Sequence, residues 1–187
     1  MTAESDDGIV VVVTTIEYLD SDESNRYREL AHGVVREPAA PFFSHQAVVL
    51  RVARRLCDHV EPRQLGRVAT APVDVVLDPD RALVLQPDVL FVAAERLSII
   101  RDQVWGPPDL VVEVLSVGTE AYDRGEKLGW YRQYGVKEGW LVDPRHEQVT
   151  VCDFRRAQPV VGTAHGHMRI PSQVLPELLI ETSALFK

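Results

Sequence analysis

Asp109-Leu110-Val111-Val112-Glu113-Val114-Leu115 is the stretch on which the fold turns. Apolar residues stand at odd and at even positions, so both faces of an extended segment are apolar. Such a strand belongs inside a sheet, covered on both sides. One residue breaks the pattern. An ionised carboxylate at Glu113 is costly there unless it is paired, hydrogen-bonded or bound to a metal. The plain alternative is a glutamate at the end of the sheet, solvated or paired with arginine.

After this strand, Thr119 to Gly135 reads as a helix that Gly125 and Gly129 weaken, with Gly135 as its stop. Glu138 to Val142 and Gln148 to Asp153 form a hairpin around Asp143-Pro144-Arg145-His146. The end, Ile170 to Phe186, offers a leucine-rich strand or short helix. Before the strand, Gly66 to Ala71, Val73 to Leu77, Ala82 to Leu85 and Val89 to Val92 are strand-like, and Arg96 to Gly106 is loop with some helix. Val49, Val52, Ala53, Leu56 and Val60 keep helical spacing, which predicts an amphipathic helix over 45–60 capped by Ser44. Its arginines, Arg51, Arg54 and Arg55, make a solvated face or, alternatively, a phosphate-facing patch.

Nearer the start, Thr14 or Thr15 caps a short helix through Leu19. Asp20 to Asn25 is loop, Tyr27 to Leu30 ends a helix or starts a strand, His32-Gly33 turns, and Val34 to Glu37 is a short strand. Residues 1–13 read as a flexible or loosely attached extension, with the run Ile9 to Val13 left open as a strand. The remainder, 14–187, is expected to be a single domain. Helix, several strands, helix and two strands predict an α/β fold: a mixed α+β sheet flanked by helices.

The chain has 187 residues, ordinary globular composition and a formal net charge of −8. That charge argues against tight non-specific duplex binding, which needs cations on phosphates. Cys57 and Cys152 fit no metal or redox spacing and read as apolar fillers in a reducing compartment. The valine run is too short and too acidic in its flanks for a secretory signal. No stretch approaches a membrane span. A cytoplasmic location is expected.

Two further residues belong beside Glu113. Pro-Asp occurs at Pro79-Asp80, Pro87-Asp88 and Pro108-Asp109, so the dipeptide alone signals nothing. Asp80 lies in a turn. Asp109 stands about 13 Å along the same strand as Glu113, too far to share an ion with it. Asp88 opens a different strand, and if that strand is a neighbour, both carboxylates reach a common Mg²⁺. Lys127 shares a helix face with Asp123, Tyr131 and Tyr134. It is either a surface lysine paired with Asp123 or a lysine snorkelling along an apolar wall to a polar site. Two carboxylates hold a hard cation, the cation polarises a phosphate and acidifies water, and a lysine orients that water or offsets growing charge. Glu29 could complete the set.

These residues stand in a frame that resembles the Uma-two family of bacterial restriction-endonuclease-like proteins, formerly a domain of unknown function. The matching segments are 27–33 (Tyr-Arg-Glu-Leu-Ala-His-Gly), 44–46 (Ser-His-Gln), 86–92, 108–116, 123–127 (Asp-Arg-Gly-Glu-Lys), Tyr131, 134–138 and 140–144 (Trp-Leu-Val-Asp-Pro). The resemblance implies the PD-(D/E)XK restriction-endonuclease-like core, with Asp88 and Glu113 as acidic pair and metal ligands. It implies Lys127 as the lysine and Glu29 as the upstream acid. The usual nuclease lysine lies two residues after the second acid; that position here is Leu115, so the lysine is displaced onto the helix. Lys137 is the fallback. His45 matches a family position, with a capping or hydrogen-bonding role expected and a phosphate contact as the alternative. Ala31-His32 departs from the apolar-acidic pair more usual there.

The expected function is therefore a Mg²⁺- or Mn²⁺-dependent endonuclease hydrolysing DNA phosphodiesters, working as a homodimer by analogy with two-strand cutters. One alternative is a catalytically inactive or partner-dependent module on the same fold. Another is a hydrolase of a different phosphoester.

Overall fold

The computed structural model describes residues 12–21 and 27–187. The acidic start, the first part of the valine run and most of the Asp20–Asn25 loop lie outside the described residues. Val13 is described, and its N–H donates to the Gly33 carbonyl at 2.8 Å.

Helix α1 (Thr15–Leu19) starts as the sequence predicts. Thr14 and Glu17 form a reciprocal capping box that satisfies two otherwise orphaned N–H groups. Strands β1 (Glu29–Ala31) and β2 (Val34–Arg36) form a hairpin. Its two-residue turn, His32-Gly33, has positive φ at both positions (51° and 87°), as a tight hairpin requires.

Helix α2 (Phe43–Val60) buries Val48, Val49, Val52, Ala53, Leu56 and Val60. The predicted Ser44 cap is corrected. The chain leaves Pro41 extended, Phe42 occupies the N-cap without a side-chain bond, and Ser44 falls inside the first turn. Arg54 lies on the exposed side, 4.0 Å from Asp58.

Five strands follow: β3 (Gly66–Thr70), β4 (Val75–Asp78), β5 (Leu83–Leu85), β6 (Val89–Ala93) and β7 (Val104–Trp105). Gly66 opens β3 because nothing larger fits. A Cβ there would stand 2.0 Å from the Val92 carbonyl oxygen, at φ +155°. The central strand β8 (Leu110–Val114) is buried throughout. Then come α3 (Glu120–Tyr122), a π-helical turn (Asp123–Lys127) and α4 (Leu128–Gln133). The predicted continuous helix is thus interrupted, and the interruption is centred on Gly125, the weak helix former. Strands β9 (Glu138–Asp143) and β10 (Gln148–Asp153) make the predicted hairpin. Strand β11 (Val160–His165), which the sequence reading missed, extends it. The leucines after Ile170 are irregular, ending in a 3₁₀ turn (Thr182–Leu185), yet several are buried.

The strands form two mixed sheets, where the sequence predicts one. One runs β2-β1-β5-β4-β7; the other runs β11-β10-β9-β8-β6-β3. The chain changes sheet at Gln86-Pro87-Asp88. Pro87 has no N–H to continue the β5 ladder, so the strand must stop there. The parallel pair β8–β9 needs a crossover connection, which the α3–α4 segment supplies.

Alternation along the strands sorts the core. Leu110, Val112 and Val114 of β8, with Val89 and Phe91 of β6, face α2. Val111, Leu90 and Val92 face the second sheet and Tyr131 of α4. By the same alternation Glu113 and Asp88 point to that second side. Among the described residues no helix is long and apolar enough to cross a membrane.

Candidate metal centre

The register of β6 against β8 explains the acidic pair. Val89 faces Val112 and Leu90 faces Val111, antiparallel. Continuing one residue past the end of β6 sets Asp88 opposite Glu113, on the same face. Directly opposed residues hold their Cβ atoms about 5 Å apart. Asp88 Oδ2 is fixed there by the Val114 N–H at 2.7 Å. The neighbouring-strand condition set by the sequence is met.

Lys127 enters from the π-helical turn. Its Nζ lies 2.9 Å from Glu113 Oε1, 2.9 Å from Glu29 Oε1 and 3.8 Å from Asp123 Oδ1. It also donates to the Tyr27 hydroxyl at 3.1 Å. The side chain is only 1% exposed. The surface-lysine alternative is thereby ruled out by position, although the Asp123 contact it anticipated is present. Tyr131 lies four residues on along the helix, and its hydroxyl donates to the same Glu113 Oε1 at 2.6 Å. Glu29, at the start of β1, accepts on that same Oε1 from the Gln86 N–H at 2.8 Å. Residues 29, 88, 113 and 127 therefore converge.

His45 joins them from the first turn of α2. Its Nε2 is 2.8 Å from the Val114 carbonyl oxygen and 3.4 Å from Asp88 Oδ2. A carbonyl can only accept, so Nε2 carries a proton and donates. This is the hydrogen-bonding role expected of His45.

The electrostatics are lopsided. Four carboxylates (Glu29, Asp88, Glu113, Asp123) surround one lysine and one histidine. Burial pushes the Glu113 carboxyl well above the usual carboxylate range. Lys127 opposes that shift, while Asp88, Asp123 and Glu29 reinforce it. Burial likewise raises Asp123, against the pull of Lys127. For Lys127, burial favours the neutral amine, but Glu113 and Glu29 outweigh it and keep the ammonium charged. For His45, burial pulls down, and Asp88 with the Val114 carbonyl outweighs it and raises the imidazole. Surplus negative charge of this kind calls for a proton or a cation.

The donor set fits a hard divalent cation. Asp88 Oδ2 accepts from the Val114 N–H, and Glu113 Oε1 accepts from the Tyr131 hydroxyl and faces the Lys127 ammonium. The other oxygen of each accepts no hydrogen bond among the described residues. One free oxygen from each of two facing carboxylates, the rest of the shell being water, is how Mg²⁺ is commonly held. Among the described residues no group of three or more His, Cys, Asp or Glu is arranged to hold a metal ion, so a cation here would rest on these two carboxylates and water.

Other candidates go elsewhere. Asp109 accepts from the Ala93 N–H at 2.8 Å, from Arg96 at 3.0 Å and from Lys137 at 2.7 Å. Burial opposes ionisation there, but these donors hold the carboxyl below its ordinary range. The fallback Lys137 is thus committed at the other end of β8. A cavity of about 580 Å³, lined in part by His59, Phe91, Asp109, Lys137 and Leu175, also lies at that end. Tyr134 packs on the second core, near Asp78 and Arg81, and does not reach the carboxylates. Sequence reasoning assigned no role to Tyr27 or Gln86; both stand in the family-like segments, the one signal that could have raised them.

A sequence model of the Uma2 family, described as "Putative restriction endonuclease", matches residues 15–183. No curated protein matches the chain. Among solved structures, the crystal structure of a "putative nuclease belonging to DUF820" from Anabaena variabilis superposes with a TM-score of 0.78. Identity is 18%, and the alignment covers 93% of this chain and 97% of that one. At that identity the likeness speaks for the fold, which is restriction-endonuclease-like. With the family match spanning nearly all described elements, the chain belongs to the Uma2 family.

Proposed function

We propose that this protein is a nuclease, specifically a metal-dependent phosphodiester hydrolase acting on DNA, with Asp88 and Glu113 as the ligands of Mg²⁺ or Mn²⁺. The observation that carries this reading is the opposition of Asp88 and Glu113 across β6 and β8, each with one oxygen free of protein hydrogen bonds. The chemistry such a cation supplies when bound is Lewis acidity toward a phosphoryl oxygen and acidification of water.

The chain's own groups have separate tasks. The Val114 N–H orients Asp88, and Tyr131 with Lys127 orients Glu113. Glu29 holds the ammonium of Lys127 from behind. Lys127 then positions the attacking water or offsets charge on the phosphate. Its three N–H bonds already go to Glu29, Glu113 and Tyr27. A contact to substrate requires one of these to yield, and the Tyr27 bond, the longest and the one to a neutral oxygen, is the one to break. A symmetric dimer would supply two such sites, one for each strand of a duplex.

That saturation of Lys127 also favours a second reading, a site that opens only with a partner. The test is cleavage of single-stranded and duplex DNA, RNA and a small phosphodiester, with Mg²⁺ and Mn²⁺, by wild type and Asp88→Ala. Metal-dependent cleavage of nucleic acid that disappears in the variant, with unchanged circular dichroism, is expected. No cleavage of any nucleic acid, together with no metal binding by calorimetry at millimolar concentrations, would sink the proposal.

A further inference from the structure

The most exposed large apolar side chains among the described residues are Phe43 (89%), Val117 (83%) and Phe42 (82%). All three lie within three residues of His45 or Val114, the groups that touch Asp88. Val117 follows Val114 by three residues. Phe42 and Phe43 precede His45 by three and two, and His45 contacts both Val114 and Asp88. Phe42 at the N-cap and Phe43 at the first helical position thus enter α2 on the same turn as the ring that touches Asp88.

The two rings are not explained by the fold. Burying a phenylalanine stabilises by about 1.5–3 kcal/mol, and neither is in any of the three cores. Phe42 also occupies an N-cap, where Ser, Thr, Asp or Asn would stabilise the helix. Two adjacent solvent-facing aromatics at this point are available to a ligand with flat apolar faces.

The proposed reaction supplies one. A phosphodiester placed at Asp88 and Glu113 brings its flanking bases with it, and every base has a π-face that stacks on an aromatic side chain. In a fully paired duplex those faces are hidden in the base stack. They are reachable where bases are unpaired. Charge points the same way. With a net charge of −8 and no acidic or basic residue on the first turn of α2 other than His45, stacking is the attraction on offer there. Single-strand binding also gains from neutralised phosphates, but its dependence on them is weaker than that of duplex binding, and stacking adds an uncharged attraction that a paired duplex does not offer.

We infer that Phe42 and Phe43 form a stacking platform for unpaired bases, so that the substrate class is single-stranded or locally unpaired nucleic acid. This rests on the nuclease reading for the choice of polymer, and binding can be measured without cleavage. The assay is fluorescence anisotropy of a short labelled oligonucleotide, single-stranded or as a blunt duplex. It uses the full chain in excess chelator. Wild type should bind the single strand at least about tenfold more tightly than the duplex. Phe42→Ala and Phe43→Ala should each weaken single-strand binding about tenfold, in line with the value of one stacked base. Phe42→Trp should retain binding and Phe42→Leu should lose it, which separates stacking from general apolar contact.

Equal affinity for the two forms, no binding of either, or alanine variants that bind the single strand like wild type would each overturn the inference. So would alanine variants that convert a dimer to a monomer in sedimentation with single-strand affinity unchanged; the face would then join two copies of the chain. Stacking without metal-dependent cleavage would sink the nuclease reading alone. Cleavage of duplex unaffected by the phenylalanines would sink the platform alone.

Discussion

Replacing Lys127 with methionine removes the cation held between Glu29 and Glu113 and leaves a side chain of similar length. At 2.9 Å from each carboxylate oxygen, each attraction is about 6 kcal/mol at an effective dielectric of ~20. Dehydration of the buried ions takes back several kcal/mol apiece, and repulsion among the carboxylates takes back more. Breaking a buried pair by removing one partner costs about 3–5 kcal/mol, and that is the loss expected at pH 7.5. The loss should depend on pH. Glu113 has a folded-state pKa raised above its unfolded value, and without Lys127 it rises further. A group raised in this way contributes stability that is fully present below its unfolded pKa of 4.5 and is lost as pH rises through the folded value. The variant's deficit should therefore be greatest at pH 7.5 and shrink toward pH 5. Adding Glu113→Gln should recover at least about 1 kcal/mol, beyond the error of additivity. Urea unfolding followed by fluorescence, Trp140 being buried, and by far-ultraviolet circular dichroism provides the measurement. A loss below about 1 kcal/mol, equal losses at pH 5 and 7.5, or strict additivity of the two substitutions would refute the reasoning.

Three further outcomes are expected. Mg²⁺ at 10–100 times its dissociation constant should stabilise the wild type by about 1.4–2.7 kcal/mol, raising Tm by about 3–10 °C, and Glu113→Gln should abolish the shift in a thermal melt. Asp109→Asn should cost about 1–3 kcal/mol at pH 7. The wild-type carboxyl is depressed, so its contribution is present above the unfolded value of 3.8 and is lost as pH falls through the folded one; acid titrations of the two proteins should converge at low pH. Gly66→Ala should destabilise by about 2–4 kcal/mol, because the Val92 carbonyl backbone cannot retreat from a Cβ and the φ is strained; equal urea midpoints would contradict this.

Some of this was legible in the chain and some was not. Glu113 announced itself as a charge in a strand apolar on both faces, and that signal survives because burial is written as periodicity. Asp88 needed a further fact, that β6 neighbours β8, and no local pattern carries strand pairing. Lys127 was legible as one of two alternatives; its full burial depends on the π-helical turn around Gly125, which no helical-wheel count anticipates. That turn also helps explain why Tyr131 reaches Glu113 and Tyr134 does not. Tyr27 and Gln86 act through a hydroxyl and a backbone N–H, which leave no trace in hydrophobic spacing. The second sheet was missed although β2, β4 and β5 were each legible as strands, because which strands pair is decided by tertiary contact and leaves no local pattern. Strand β11 is largely exposed and reads as loop.

The register that sets Asp88 opposite Glu113 has a consequence for how the protein is made. Glu29, Asp88, Glu113 and Lys127 come from four separate stretches of chain, and the acidic pair exists only once β6 has docked on β8 in one alignment. A slip of a single residue would turn one of the two carboxylates to the opposite face of the sheet. A nascent or half-folded chain therefore carries no assembled centre. Long-range strand pairing is slow, so the centre, and with it the cutting proposed for it, would be completed only with the fold.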